Sequence, residues 1–506
     1  MEINGVEDLR LLESQIRAYI EPHRLDDVLV TLKRVPDEVE RFVVGGAALF
    51  AVRFCRSGRR RPNVAVLGGE GLAHWLHLVK TYLLADPIGY DEAVRGDFAQ
   101  SNPVFAVLRM VSSQMPYHVS LFGQHGQPLL LYHEIPKQLS TRQGLPRFDF
   151  EESFRELYGA STLQYAHIGL TAFAAATMTD GFTRGYFVKA RDLGLKIPSD
   201  RRLLPVLDKM AADATQLENL RRRHRGDDPR FAIYDFNPLF MRPLVRPWRQ
   251  KKHVAMDDDR MVAPLPNLVA LKNSVGIFYE MFNRYGVDFS NYFGFMFEAY
   301  VGRVLQHSTK SPRLISEDDI RQRYPTDKGK APDWVVIEGQ TAILIECKAT
   351  RFSRAAVTTG EKAAVNDSLK QVVKGLRQLD SFRQACLAKK QGLEALHGCV
   401  NFKPVLVTLE PLHLVNSPLF RDYLNGELRS LGIKDLPWHI MSVDELERLQ
   451  PYLSTGVSLD EVLKELAGKP FFTLLDEIHE RTGLTYKDSF LYEYERELYR
   501  RLGVPD

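Results

Sequence analysis

Residues 331–348 read Ala-Pro-Asp-Trp-Val-Val-Ile-Glu-Gly-Gln-Thr-Ala-Ile-Leu-Ile-Glu-Cys-Lys, two apolar runs separated by Glu338 to Thr341. Such a segment predicts a β-hairpin. With Gly339 and Gln340 as the central turn residues, glycine first as a type II′ turn prefers, Asp333 falls directly opposite Glu346. Opposed residues on antiparallel strands share a face, with Cβ atoms about 4.5–5.5 Å apart. Lys348 lies two residues beyond Glu346 and points to that same face, while Ile343, Ile345 and Cys347 point to the other. Two carboxylates so placed repel one another until a cation divides them. A hard cation such as Mg²⁺ takes carboxylate oxygens, keeps several waters and contacts substrate phosphate. The predicted chemistry is therefore metal-dependent phosphodiester hydrolysis, with Lys348 either orienting the attacking water or neutralising the transition state.

The flanking segments add candidates. Tyr292 to Gln306 predicts a helix whose stripe holds Phe295, Val301 and Leu305, and Glu298 falls on that stripe. An acid on an apolar stripe reaches a cation or turns outward, since burying it unpaired is costly. Gly294 and Gly302, four residues to either side, predict close approach of another backbone. Downstream, Asn366 or Asp367 is a candidate cap for a helix with core positions Leu369, Val372, Val373, Leu376 and Leu379. Gln371, Lys374 and Gln378 flank that stripe, and Gln371 and Lys374 are candidates for contact with a metal-bound water or a phosphate. An apolar strand at Pro404 to Leu409 completes an α/β pattern.

These residues resemble the PD-(D/E)xK nuclease superfamily: Pro332-Asp333, then Glu346-x-Lys348, a preceding helix with Glu298 and a following helix with Gln371. The resemblance covers residues 285 to about 410. It implies a restriction-endonuclease-like core, a mixed sheet flanked by helices. By the same resemblance Asp333, Glu346 and Glu298 hold Mg²⁺, for which Mn²⁺ substitutes, Lys348 assists catalysis and Gln371 contributes. A long N-terminal region containing Tyr234-Asp235-Phe236-Asn237-Pro238-Leu239 ahead of such a module is similar to bacterial two-domain members, many of which act in defence against phage.

A chain of 506 residues exceeds one ordinary core. The expected division is 1–256, mainly helical and serving substrate or partner recognition; 257–430, the nuclease domain; and 431–506, a mostly helical extension. Amphipathic stretches at Leu72–Leu84 and Phe154–Met178 predict helices, Pro128–Tyr132 a strand, Trp438–Met441 a short strand, and Ser442 with Glu445 a capping box. The prolines from Pro238 to Pro266 predict an extended connection with a boundary near Asp257.

The net charge of +3 decides little. Residues 221–252 nevertheless carry ten Lys or Arg against Asp227, Asp228 and Asp235. Arg221, Arg222, Arg223 and Arg225 lead that run and are candidate phosphate contacts, with a second cluster at Arg56, Arg59, Arg60 and Arg61. The four cysteines lack CxxC spacing, which argues against a zinc site or a disulfide framework. No signal pattern appears, so a cytoplasmic protein is expected. No GxxxxGK[ST] phosphate loop is present, so an ATP-driven or targeting step would need a partner chain, and a homodimer would supply two active sites for duplex cleavage. The expected partner is nucleic acid, DNA ahead of RNA. The alternative, a non-catalytic nucleic-acid-binding or assembly subunit, predicts a broken set of charged residues, and here the set is whole.

Overall fold

The computed structural model describes residues 6–55, 67–85, 103–117, 121–140, 144–226, 228–247, 259–308, 313–324, 331–353, 356, 358, 362–412, 415–466 and 471–504. The boundary expected near Asp257, the second arginine cluster and the basic residues after Pro247 lie outside them. Among the described residues the protein is α/β, with most helices in the first half and one five-stranded mixed sheet in the second. No helix among the described residues is long and apolar enough to cross a membrane.

The sheet consists of β1 (Arg313–Ser316), β2 (Trp334–Glu338), β3 (Thr341–Lys348), β4 (Asn401–Thr408) and β5 (His439–Ser442), in that spatial order. The first three are antiparallel neighbours; β4 and β5 run parallel to β3. The hairpin has the expected register, with Glu338 opposite Thr341 and Trp334 opposite Ile345. Gly339 takes φ +59°, the left-handed value that a type II′ turn demands at its first central position. β3 is buried on both faces. Ile343 and Ile345, with Val405 and Val407 of β4, pack toward the helical run α1 (Val275–Ser308), which breaks at Gly286. Ala342, Leu344 and Leu406 pack toward α3 (Lys362–Leu387), the crossover between β3 and β4. β3 is therefore an apolar run, as a strand with helices on both sides must be.

The largest hydrophobic cluster draws on all three sequence segments, from Leu129 through Val301 to Leu502. A polar contact inside it does the same: Glu447, 1 % exposed, accepts from Gln127 at 2.9 Å and from the Tyr300 hydroxyl at 2.7 Å. Burial pushes the Glu447 carboxyl up to about 8, which keeps it protonated and spares the core a charge.

Several sequence expectations require correction. Pro128–Tyr132 is helical, part of a run from Gly126 to Leu139 with a π-helical stretch at Leu129–Glu134. Short apolar runs carry no period that separates strand from buried helix. Phe154–Met178 is two helices, Phe150–Tyr158 and Thr162–Met178, divided at Gly159 with φ +69°. Asn366 and Asp367 lie inside α3 rather than at its start: Asn366 accepts from the Tyr423 hydroxyl, and Asp367 pairs with Lys370 at 2.6 Å. Ser442 and Glu445 do form a capping box, opening the helix Val443–Leu453.

Candidate metal centre

Local pairing carries four acids to the same end of the sheet. β1 lies against β2 with Ser316 opposite Trp334, and one step further the Glu317 N–H donates to the Asp333 carbonyl at 2.9 Å. Ser316 caps the short helix α2 (Glu317–Arg323), so the chain turns sharply there and presents Glu317 in its first turn. Trp334 fixes the other side. Its indole N–H donates to the Glu298 carbonyl at 3.0 Å, and its ring fills the space over Gly302, where a Cβ would lie 2.2 Å from Cζ2. Gly302 thus admits a side chain where a backbone was expected, and nothing lies within 4 Å of a Cβ at Gly294.

Glu298, Glu317 and Asp333 offer carboxylate oxygens that all lie within 4.8 Å of one another. Asp333 is held toward β3 by the Cys347 N–H, which donates to Oδ2 at 2.6 Å. Glu346, 2 % exposed, sits beside it on β3, and Lys348, its ammonium on Glu346 Oε1, shares that face. Gly375 of α3 makes this possible: a Cβ there would lie 3.5 Å from Lys348 Cε, 3.7 Å from Glu346 Cγ and 2.7 Å from Leu406 Cδ1. A glycine in a helix interior costs about 1 kcal/mol relative to alanine, so its presence marks the close approach.

Comparison with family models, curated proteins and solved structures returns no match. The centre is accordingly read from its own electrostatics. Burial raises the Asp333 carboxyl well above its ordinary range, and the charges of Glu346 and Glu298 raise it further, against the Cys347 N–H and Lys348, which lower it. Burial pulls Lys348 down, yet the charge and hydrogen bond of Glu346 outweigh it and hold the ammonium above its usual range. Two carboxylates at such separations repel by about 3 kcal/mol at an effective dielectric constant near 20. The donor set is all hard oxygen, and the like charges are relieved by one cation, so these residues suit Mg²⁺ or Mn²⁺ and not a soft metal.

The other expected residues fall elsewhere. Gln371 and Lys374 are exposed on α3, and Gln371 lines a cleft beside the acids instead of joining them. Arg221 is 7 % exposed; Glu218 grips it at 2.8 and 2.9 Å and Asp235 at 3.2 Å, so its guanidinium serves the fold of that corner. Arg222, Arg223 and Arg225 are exposed, Arg222 pairing with Glu218 at 2.8 Å. Asn237 of the Tyr234–Leu239 stretch is structural too. Its amide donates to the Gly45 carbonyl at 2.9 Å and lies 2.8 Å from the Tyr117 hydroxyl. Glu317 is the residue that sequence reasoning missed. In isolation it is an ordinary first-turn acid paired with Arg321 at 2.6 Å.

Proposed function

We propose that this chain is a divalent-metal-dependent nuclease with a restriction-endonuclease-like core, cutting DNA internally by phosphodiester hydrolysis. The carrying observation is the meeting of Glu298, Glu317 and Asp333, from three separate elements, beside the Glu346 and Lys348 pair. The order of helix, β1, the β2–β3 hairpin, α3 and β4 supports the same reading. Glu298, Glu317 and Asp333 would hold the cation, with Glu346 completing the negative wall. When bound, Mg²⁺ supplies Lewis acidity toward the phosphoryl oxygens and the attacking water. Lys348, kept charged by Glu346, is no base at neutral pH; it donates to a non-bridging phosphoryl oxygen and neutralises charge as the water adds and the 3′ oxygen leaves. Asp333, pinned by the Cys347 N–H, sets the position of the centre relative to β3.

Supercoiled DNA, linear DNA, single-stranded DNA and RNA, each incubated with Mg²⁺, Mn²⁺ or EDTA, test this for wild type beside Lys348→Ala. Metal-dependent cutting lost in the variant is the expected result. Cutting that persists in EDTA, or in Lys348→Ala at the wild-type rate, defeats the proposal.

A further inference from the structure

A cavity of about 1080 Å³ lies between the two halves of the chain and is not built around the acids. It opens where the parallel strands end: Thr350 and Arg351 follow β3, Leu409 and Glu410 follow β4, and Asp444 follows β5. Sheets with parallel strands bind ligands outside those carboxyl ends. The facing wall comes from the N-terminal half, between Phe42 and Phe240. At this size the cleft exceeds the roughly 300–1,000 Å³ of a drug-sized pocket.

Its walls have a distinctive chemistry. Five aromatic side chains, Phe236, Phe240, Tyr279, Phe352 and Phe471, line it while only partly buried. Two of them carry a guanidinium, Arg351 at 4.1 Å from the Tyr279 centroid and Arg448 at 5.6 Å from that of Phe471. Asn283 and Gln371 add exposed amides. Among the cations, Arg221 pairs with Asp235, Lys272 with Glu280 and Arg448 with Asp444 at 3.7 Å, and Arg351 lies over the Tyr279 ring. Such walls do not track a phosphate backbone, which takes a positively charged groove; they fit flat rings with polar edges. In a duplex the faces of each base are covered by its neighbours, so aromatic walls serve only bases that have left the stack. Thr350 lies two residues beyond Lys348, so the chain runs from the strand that carries Glu346 and Lys348 directly into the cleft wall.

We infer that the cleft takes unpaired bases of the strand whose phosphodiester reaches the acids, so that the substrate is single-stranded or locally opened nucleic acid. This rests on the nuclease reading above. Fluorescence anisotropy in EDTA, where no strand is cut, compares a short labelled single strand with its duplex. The single strand should bind about tenfold tighter, and Phe236→Ala and Tyr279→Ala should each weaken it about tenfold while leaving duplex binding unchanged. Because a wall variant can loosen the fold, the exposed Asn283 provides a signed pair: Asn283→Glu should weaken strand binding several-fold and Asn283→Lys strengthen it, a reversal that unfolding does not produce. Equal affinity for strand and duplex, or affinity indifferent to all four variants, overturns the inference. Strand binding that follows the variants without cutting in Mg²⁺ defeats the nuclease reading and leaves the cleft; cutting with unaltered binding does the reverse.

Discussion

Of the three acids on the run Val275–Ser308, two stand in opposite electrostatic situations, Glu280 near its start and Glu298 in its second half. Glu280 is nearly buried and meets opposite charges: Lys272, itself 2 % exposed, and Arg242 at 2.9 Å both reach Oε1. Burial alone would raise its carboxyl, but those two cations outweigh it and hold it below the usual range, while burial pulls Lys272 down to about 8. Glu298 meets like charges, Glu317 and Asp333, and Asp333 is driven upward. The first group has settled its charge within the fold. The second crowds three carboxylates within 4.8 Å of one another, with Arg321 on Glu317 and Lys348 on the adjoining Glu346, and perturbed groups of that kind collect at functional sites.

The comparison breaks most sharply by mutation. Asp333→Asn and Glu346→Gln should each reduce cleavage by on the order of 10³-fold, the equivalent of about 4 kcal/mol of transition-state stabilisation. The metal-free stability of Asp333→Asn should be unchanged or higher, because one member of a repelling group has been neutralised, whereas Glu346→Gln also takes the partner from Lys348 and should lose stability. Marked unfolding of Asp333→Asn, seen by near-UV circular dichroism, would return that acid to a structural role. Glu280→Ala should behave oppositely. It leaves Lys272 and Arg242 uncompensated, and breaking a buried pair in this way costs about 3–5 kcal/mol. Denaturant melts that match wild type would remove the contrast on which the two roles rest.

What the sequence disclosed follows from the range of the interactions involved. Asp333, Glu346 and Lys348 were legible because a two-residue turn and a period of two locate them relative to one another within eighteen positions of chain. Glu317 was not, because its place depends on β1 pairing with β2, a register that local spacing does not state, and because a capped first turn with an i,i+4 arginine looks like any solvated helix start. Arg221 shows the converse: a run of arginines suggests phosphate, yet Glu218 and Asp235 claim the first of them. The cleft walls come from segments more than two hundred residues apart, beyond the reach of any periodicity.

Metal linkage sharpens the comparison by a smaller amount. Folded Asp333 keeps its proton at pH values above about 4, where the unfolded chain has lost it, so the folded state binds more protons and its metal-free stability falls as pH rises through that window. At neutral pH, Mg²⁺ at a hundred times its dissociation constant should restore about 2.7 kcal/mol. Thermal melts with and without Mg²⁺ read this directly. Glu317→Ala should move the Mg²⁺ midpoint upward by about tenfold or more, whereas Glu280→Gln should leave the Mg²⁺-induced increment as it was. An increment equal in wild type and Glu317→Ala would remove Glu317 from the centre.

The smallest effect concerns the arginines left at the surface. Arg222, Arg223 and Arg225 are exposed, and surface substitutions of this kind change stability by no more than about 0.5 kcal/mol. Their function, if they touch phosphates, shows in salt dependence: each contact removed should lower the slope of log affinity against log salt by about 0.7 for a single strand and about 0.9 for duplex. Arg221→Ala should instead destabilise the fold, because Asp235 is half-buried and burial already raises its carboxyl against the pull of Arg221 and Arg225. Measuring the slope for the three exposed positions, with the single strand, therefore separates a phosphate track from a solvated face. An unchanged slope would leave recognition to the aromatic walls alone, and a loss of two slope units would mean that the strand continues from the cleft across these three arginines.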